Sequence, residues 1–296
     1  MSHPPQLRAF PAGSGWVLED SSGNEPTLAQ ARMWLEERIA KNALQLPLVA
    51  ESSAQLLAMT RNDDCSIQDL VDVVQRDPPL AAHLLRVTNS PYYAPKYPAT
   101  TIRQAVTRLG LSELRRVSIL LSCQTRIFRV TGWEDEVAEL FSHSLTTALY
   151  SIEIAKRVRA DEEEAFLCGL LHDVGHAIVL QGLADFEEEV RTQVPREWLV
   201  ELAREYHTDV GGKLAFRWGL SARVAEVVAS HHRVLKAPST ALALAHLADT
   251  LAYGAPGTLE ALQGDPMLVP LGLDEKALED LFNQRRQVVA LAALMI

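Results

Sequence analysis

Residues 162–180 read EEEAFLCGLLHDVGHAIVL. Acidic residues open the stretch, where a helix dipole favours negative charge. The apolar run Phe166 to Leu171 then leads into His172-Asp173, two polar residues inside a segment that otherwise reads as core. The spacing predicts one helix over 162–180. On a continuous helix His172 and His176, four residues apart, share a face. An ionised Asp in such surroundings costs several kcal/mol unless it is paired or bound to a cation. The rest of the chain is therefore read for what could meet Asp173.

Helical periodicity extends in both directions. Thr27-x-x-Gln30 and Ser66-x-x-Asp69 are helix-start patterns, the first a capping box. LPLVAESSAQLLAMT (46–60) is helix-compatible, Pro79 suits the first turn of a helix over 80–87, and Ile102–Leu109 ends at Gly110, a plausible left-handed stop before Leu114–Leu121. Longer segments follow over 134–158, 196–218, 222–232, 239–252 and 274–296. No Asn-Gly or Asp-Gly hairpin occurs and no period-two alternation is sustained. The expected fold class is all-α. Residues 1–26, rich in Pro, Gly and Ser, read as an irregular arm. The globular part divides near residue 132, giving a lobe over 27–132, a second over 133–253 and a helical extension over 254–296.

Composition bounds the function. With 296 residues, 48% hydrophobic and 22% charged, the chain can bury a sizeable core. A net charge of −10 lacks the electrostatic footprint of a nucleic-acid binder, so no nucleic-acid partner is expected. The three cysteines, Cys65, Cys123 and Cys168, form no CxxC pair; a disulfide framework and a cysteine zinc site are not expected. No leader pattern and no apolar run near membrane-spanning length is read, so the expected location is the cytoplasm, away from a membrane.

Seven of the nine histidines lie between residues 143 and 246. The series His143, His172-Asp173, His207, His231-His232, Asp249 places each member in an apolar helical segment. One buried histidine is ordinarily a hydrogen-bonded core residue. Five such segments with two carboxylates point to a shared cation, and imidazole with carboxylate suits Fe, Mn, Zn or Ni. Asp173, with two oxygens, could bridge two ions. His176 reads as an extra ligand or outer donor, or as a core-capping residue; His246 as packing; His83 as a surface helix residue.

At these residues the chain resembles the HD superfamily of metal-dependent phosphohydrolases, with its pattern H…HD…D. QLPLVAESSAQLL, QRDPPLAAHLLRVTNSPYY, IRQAVTRLGLSELRRVSI, HTDVGGKLAFRWGLSARVAEVVASHH and ALALAHLADTLA are similar, in order, to blocks of the HDOD domain, over roughly 40–253. The resemblance implies a two-lobed helical HDOD fold, with an HD-like bundle as its C-terminal lobe, and a role in bacterial signal transduction. By carry-over His143, His172, Asp173 and Asp249 match first-metal positions; His207 and the His231-His232 pair match second-metal positions of HD-GYP phosphodiesterases. Two positions depart: His176 stands where HD hydrolases commonly have Lys, and no Gly-Tyr-Pro follows His232.

The reading taken is a regulatory protein in which the HDOD fold is an interaction or sensory module with a protein partner in a signalling pathway, and any metal is structural. The alternative is a phosphohydrolase of a nucleotide or other phosphoester, with Asp173 and His176 as catalytic residues. Asn89 reads as a helix-terminal cap, and Arg103, Arg108, Arg115 and Arg116 as a solvated face. The sequence leaves open whether the extension docks on its own core or on a second subunit.

Overall fold

The computed structural model describes residues 26–295 apart from 42, 45–54, 57, 58, 60–65, 91, 92, 94, 95, 236 and 255–257. All but the last residue of the arm expected over 1–26 and most of the helix expected over 46–60 lie outside the described residues. The described residues form helices and no strands. These are α1 (Leu28–Ala40), α2 (Ile67–Gln75), α3 (Pro78–Thr88), α4 (Ile102–Ser122), α5 (Glu134–Val158), α6 (Glu162–Leu171), α7 (Val174–Val190), α8 (Arg196–Arg217), α9 (Ala222–Ser230), α10 (Thr240–Tyr253), α11 (Thr258–Leu262), α12 (Glu275–Asn283) and α13 (Arg285–Met295).

The local signals work as written. Thr27 and Gln30 close the capping box of α1, and Asp77 caps α3 ahead of its prolines. Gly110 takes φ 75° and kinks α4 there. The segment over 274–296 is two helices rather than one, with Gln284 between them. Asn89 does more than end a helix: its amide donates to the Ala99 carbonyl (2.9 Å) and its oxygen accepts from the Ala99 N–H (2.7 Å), tying the end of α3 to the residues just before α4.

Two apolar cores result. The small one gathers Leu70, Val74, Leu80, Leu84 and Leu114 from α2, α3 and α4. The large one is built on α5 to α10. Helix α1, placed with the N-terminal lobe at sequence level, instead buries Ala31, Leu35 and Ile39 in the large core. The extension also returns to it, through Leu281, Val288 and Ala292. Residues 162–190 together are long and apolar enough to cross a membrane, but 83% of their most apolar 18-residue window is buried inside the fold.

The lobes meet through apolar contact, with Ile119 and Leu120 of α4 in the large core, and through charge. Arg115 pairs with Glu163 (2.8 Å) and Arg116 with Glu113 (3.1 Å) and Glu162 (3.5 Å). These two arginines are partly buried, not a solvated face. The acids that favour the α6 dipole thus also hold the N-terminal lobe, while Asp161 caps the helix through the Glu163 and Glu164 N–H groups.

His83 is not a surface residue: it is 5% exposed, with Nδ1 2.6 Å from Arg86 Nη2. Burial, with the nearby Arg86 charge, lowers its pKa to about 4. The unfolded chain, titrating near 6.5, therefore binds more protons between those values. His83 leaves stability intact above about pH 6.5 and costs up to about 3 kcal/mol as pH falls to about 4. Urea midpoints of wild type and His83→Leu should diverge across that window, wild type losing more. Parallel curves would remove the assignment.

Candidate metal centre

The helix expected over 162–180 is broken where it matters. α6 stops at Leu171, Asp173 leaves helical geometry (φ −101°, ψ 12°), and α7 restarts at Val174. Asp173 holds the N-cap position of α7 but makes no side-chain cap bond. Its carboxylate turns inward instead. The turn also needs Gly175: a Cβ there would sit 1.8 Å from the His207 carbonyl oxygen. Without that methyl, α8 comes into backbone contact with the turn and delivers His207.

Five segments converge. Asp173 Oδ2 lies 3.3 Å from His172 Nε2. Asp173 Oδ1 faces the other way, 3.1 Å from His231 Nε2, 3.5 Å from His176 Nε2 and 3.8 Å from His207 Nε2. Asp249 Oδ1 lies 2.9 Å from His143 Nε2 and 3.5 Å from His172 Nε2. The His207 ring centroid is 4.9 Å from that of His232 and 4.2 Å from that of His176. Two donor sets follow, each with ligand atoms within 4.8 Å of one another: His143, His172 and Asp249; and Asp173, His207, His231 and His232. Asp173 stands between them, one oxygen toward each.

The donors are oriented for a cation. His172 Nδ1 donates to the Gly169 carbonyl (2.8 Å), His207 Nδ1 to that of Ala203 (2.7 Å) and His231 Nδ1 to that of Val227 (3.2 Å). Each bond turns Nε2 toward the site, the arrangement that orients metal-bound imidazoles. The Nε2 atoms of His172 and His207 are buried and make no hydrogen bond. Such orphans are costly, and a divalent cation would satisfy both. The nitrogen and oxygen donors thus fit Fe, Mn, Zn or Ni.

The electrostatics agree. Burial opposes charge on His172, but Asp173 and Asp249 outweigh it and hold its pKa well above the usual value. Burial likewise opposes the Asp173 carboxylate, yet His172 and His176 keep it well below the usual range. Asp249 is held low against burial by His143 and His172. Burial, with His176 beside it, pushes His207 down to about 2, so its imidazole is neutral. The two acids demand positive charge, and the neutral imidazole is ready to ligate.

A cleft of about 390 Å³ opens onto this centre, lined by His143, Asp173, His176, Tyr253 and Arg285 among others. His176 lies at the cleft wall rather than on a continuous helix with His172. His246 bonds Asp265 at 2.9 Å and stands outside both donor sets. Two cleft residues went unread at sequence level. Tyr253, whose ring lies 4.4 Å from that of His143, could have been found one helical turn after Asp249. Arg285 carries no sequence signal; only folding of the extension brings it here.

Comparison with known proteins places these features in context. Residues 46–234 match the HDOD domain. An uncharacterised protein of Treponema pallidum is 24% identical over 69% of this chain and 41% of its own length. Ribonuclease Y of Opitutus terrae is 30% identical over 52% of this chain and 24% of its own. The chain thus spans less than half of either relative. A crystal structure from Shewanella amazonensis, provisionally named a metal-dependent phosphohydrolase, superposes with TM-score 0.67 at 21% identity, covering 88% of this chain and 99% of that one. That likeness carries the fold.

Proposed function

The chain belongs to the HDOD domain family, and from that premise we propose that it binds two divalent cations and hydrolyses a phosphoester. The observation that carries this reading is the position of Asp173, whose two oxygens face two separate donor sets. His143, His172 and Asp249 would hold one cation, and His207, His231 and His232 the other, with Asp173 shared. A bound pair supplies Lewis acidity toward a phosphoryl group and toward water.

The chain's own side chains do the remaining work. The carbonyls of Gly169, Ala203 and Val227 fix three rings so that Nε2 faces inward. Apolar walls at Leu140, Leu180 and Leu199 exclude water beside the reacting group. His176, stacked on His207 and 14% exposed in its side chain, holds a proton at Nε2 for the leaving oxygen. The ribonuclease name of one relative makes phosphodiesters a substrate class to include, although the acidic chain argues against a long nucleic acid.

One observation favours a second reading, a regulatory module with a signalling partner. The N-terminal lobe grips the start of α6 through Arg115 and Arg116, and His172 caps the other end of α6. A partner on that lobe would then sense or alter the centre. Metal content after purification, followed by turnover of 4-nitrophenyl phosphate, its bis-ester and cyclic dinucleotides with Fe, Mn, Zn or Ni restored, separates the two. Turnover that requires the metal is expected. Full occupancy with no turnover of any ester would leave the regulatory reading standing.

A further inference from the structure

Arg285 opens α13, beyond the matched span of 46–234, yet lines the cleft with His143, Asp173 and His176. We propose that Arg285 is the anchor that the C-terminal extension supplies for the anionic part of the substrate. This rests on the reading that the cleft takes a phosphoester.

The guanidinium is held by carbonyls at a helix C-terminus, which favour a cation but carry no formal charge to neutralise it. Nη2 donates to the carbonyls of Tyr253 (3.1 Å) and Ala252 (3.4 Å), at the end of α10. These are neutral partners. Among the described residues Arg285 has no carboxylate partner, whereas Arg115, Arg116 and Arg196 each pair with a glutamate. It is also the sole Arg or Lys among the residues lining the cleft.

The chain makes room for this side chain. Gly254 ends α10 with φ 55°, and a Cβ there would lie 1.8 Å from Arg285 Nε. One glycine thus permits both the left-handed turn and the seat of the guanidinium. The seat is near the centre: Tyr253 follows Asp249 by four residues, about 6 Å along the helix axis. A phosphoester at the cations can span that distance. Of the two glutamates that also line the cleft, Glu136 is paired with Arg196 at 3.2 Å and Glu139 is exposed to solvent. A planar fork of N–H donors suits phosphate oxygens.

The test uses the full chain loaded with Mn and inorganic phosphate as the probe, by isothermal titration calorimetry. Arg285→Gln keeps an amide donor for the two carbonyls and removes the charge. It should weaken phosphate binding about 10- to 100-fold, the range for a lost charge-assisted hydrogen bond. KM for 4-nitrophenyl phosphate should rise more than kcat falls, with metal content unchanged. Arg285→Lys, which keeps a cation without the fork, guards against a folding defect and should weaken phosphate several-fold. Wild-type binding that neither substitution weakens overturns the anchor alone. A metal-loaded wild type that binds no phosphate overturns the phosphoester reading and the anchor together.

Discussion

Asp173→Asn should empty both cation positions at once while the metal-free protein still folds. The substitution is nearly isosteric, but it replaces one carboxylate oxygen with an NH2 group that must face one of the two donor sets. On either side it meets an Nε2 atom already committed to the site: His172 at 3.3 Å, or His231 at 3.1 Å. It also removes the negative charge shared between them. Loss of an outer partner of a metal ligand costs about 10- to 100-fold in affinity or activity, and a bridging ligand should exceed that range. Bound metal, by inductively coupled plasma mass spectrometry, should fall from as many as two ions per chain to below one. Turnover of any phosphoester found should drop by more than about 100-fold.

The fold should tolerate it. Asp173 and Asp249 together hold a proton on His172 against burial. With Asp173 neutral that proton can leave, so no unpaired buried cation remains. The metal-free variant should melt within a few degrees of metal-free wild type. Asp265→Asn is the control, because Asp265 bonds His246 outside both donor sets. Retention of two ions in Asp173→Asn would defeat the proposed bridge.

The second large effect is thermal. A ligand that binds only the folded chain stabilises it by about 4 kcal/mol per site at a thousandfold excess over its Kd. At about 2–4 °C per kcal/mol, a single filled site should raise Tm by roughly 8 °C or more. Scanning fluorimetry with each metal, then with excess chelator, checks this. The sign with pH follows from the ligands. Imidazoles must be neutral and carboxylates ionised to bind, so filling the centre releases protons. Burial already keeps His207 neutral, so little of the proton release comes from it. The proton that the acids hold on His172 must leave. The increment should therefore be largest at about pH 7.5 and shrink toward about pH 5.5. A Tm indifferent to every cation at both values would dispose of the centre.

The residues that this argument uses were legible to different degrees. Apolar spacing, with the capping pairs Thr27–Gln30 and Ser66–Asp69, told of an all-helical chain, because those signals act within one turn. The two histidines misread have a common cause. A surface helix and a buried one can carry the same spacing, so His83 was placed outside although it is buried. His176 was put on a face with His172 because periodicity alone does not register a break of two residues. Arg115 and Arg116 were read as solvated because Glu162 and Glu163, which draw them against the large lobe, lie more than forty residues further along the chain.

By itself the sequence determined the all-helical class and the caps at Thr27 and Ser66, and it named seven candidate donors, since chemical type and local period are written residue by residue. Only the tertiary structure decided that Asp173 faces both donor sets, that Gly175 admits α8 to the turn, and that Arg285 enters the cleft past Gly254. Each of these depends on the close approach of segments distant in the chain, set by how the large core packs rather than by any local preference.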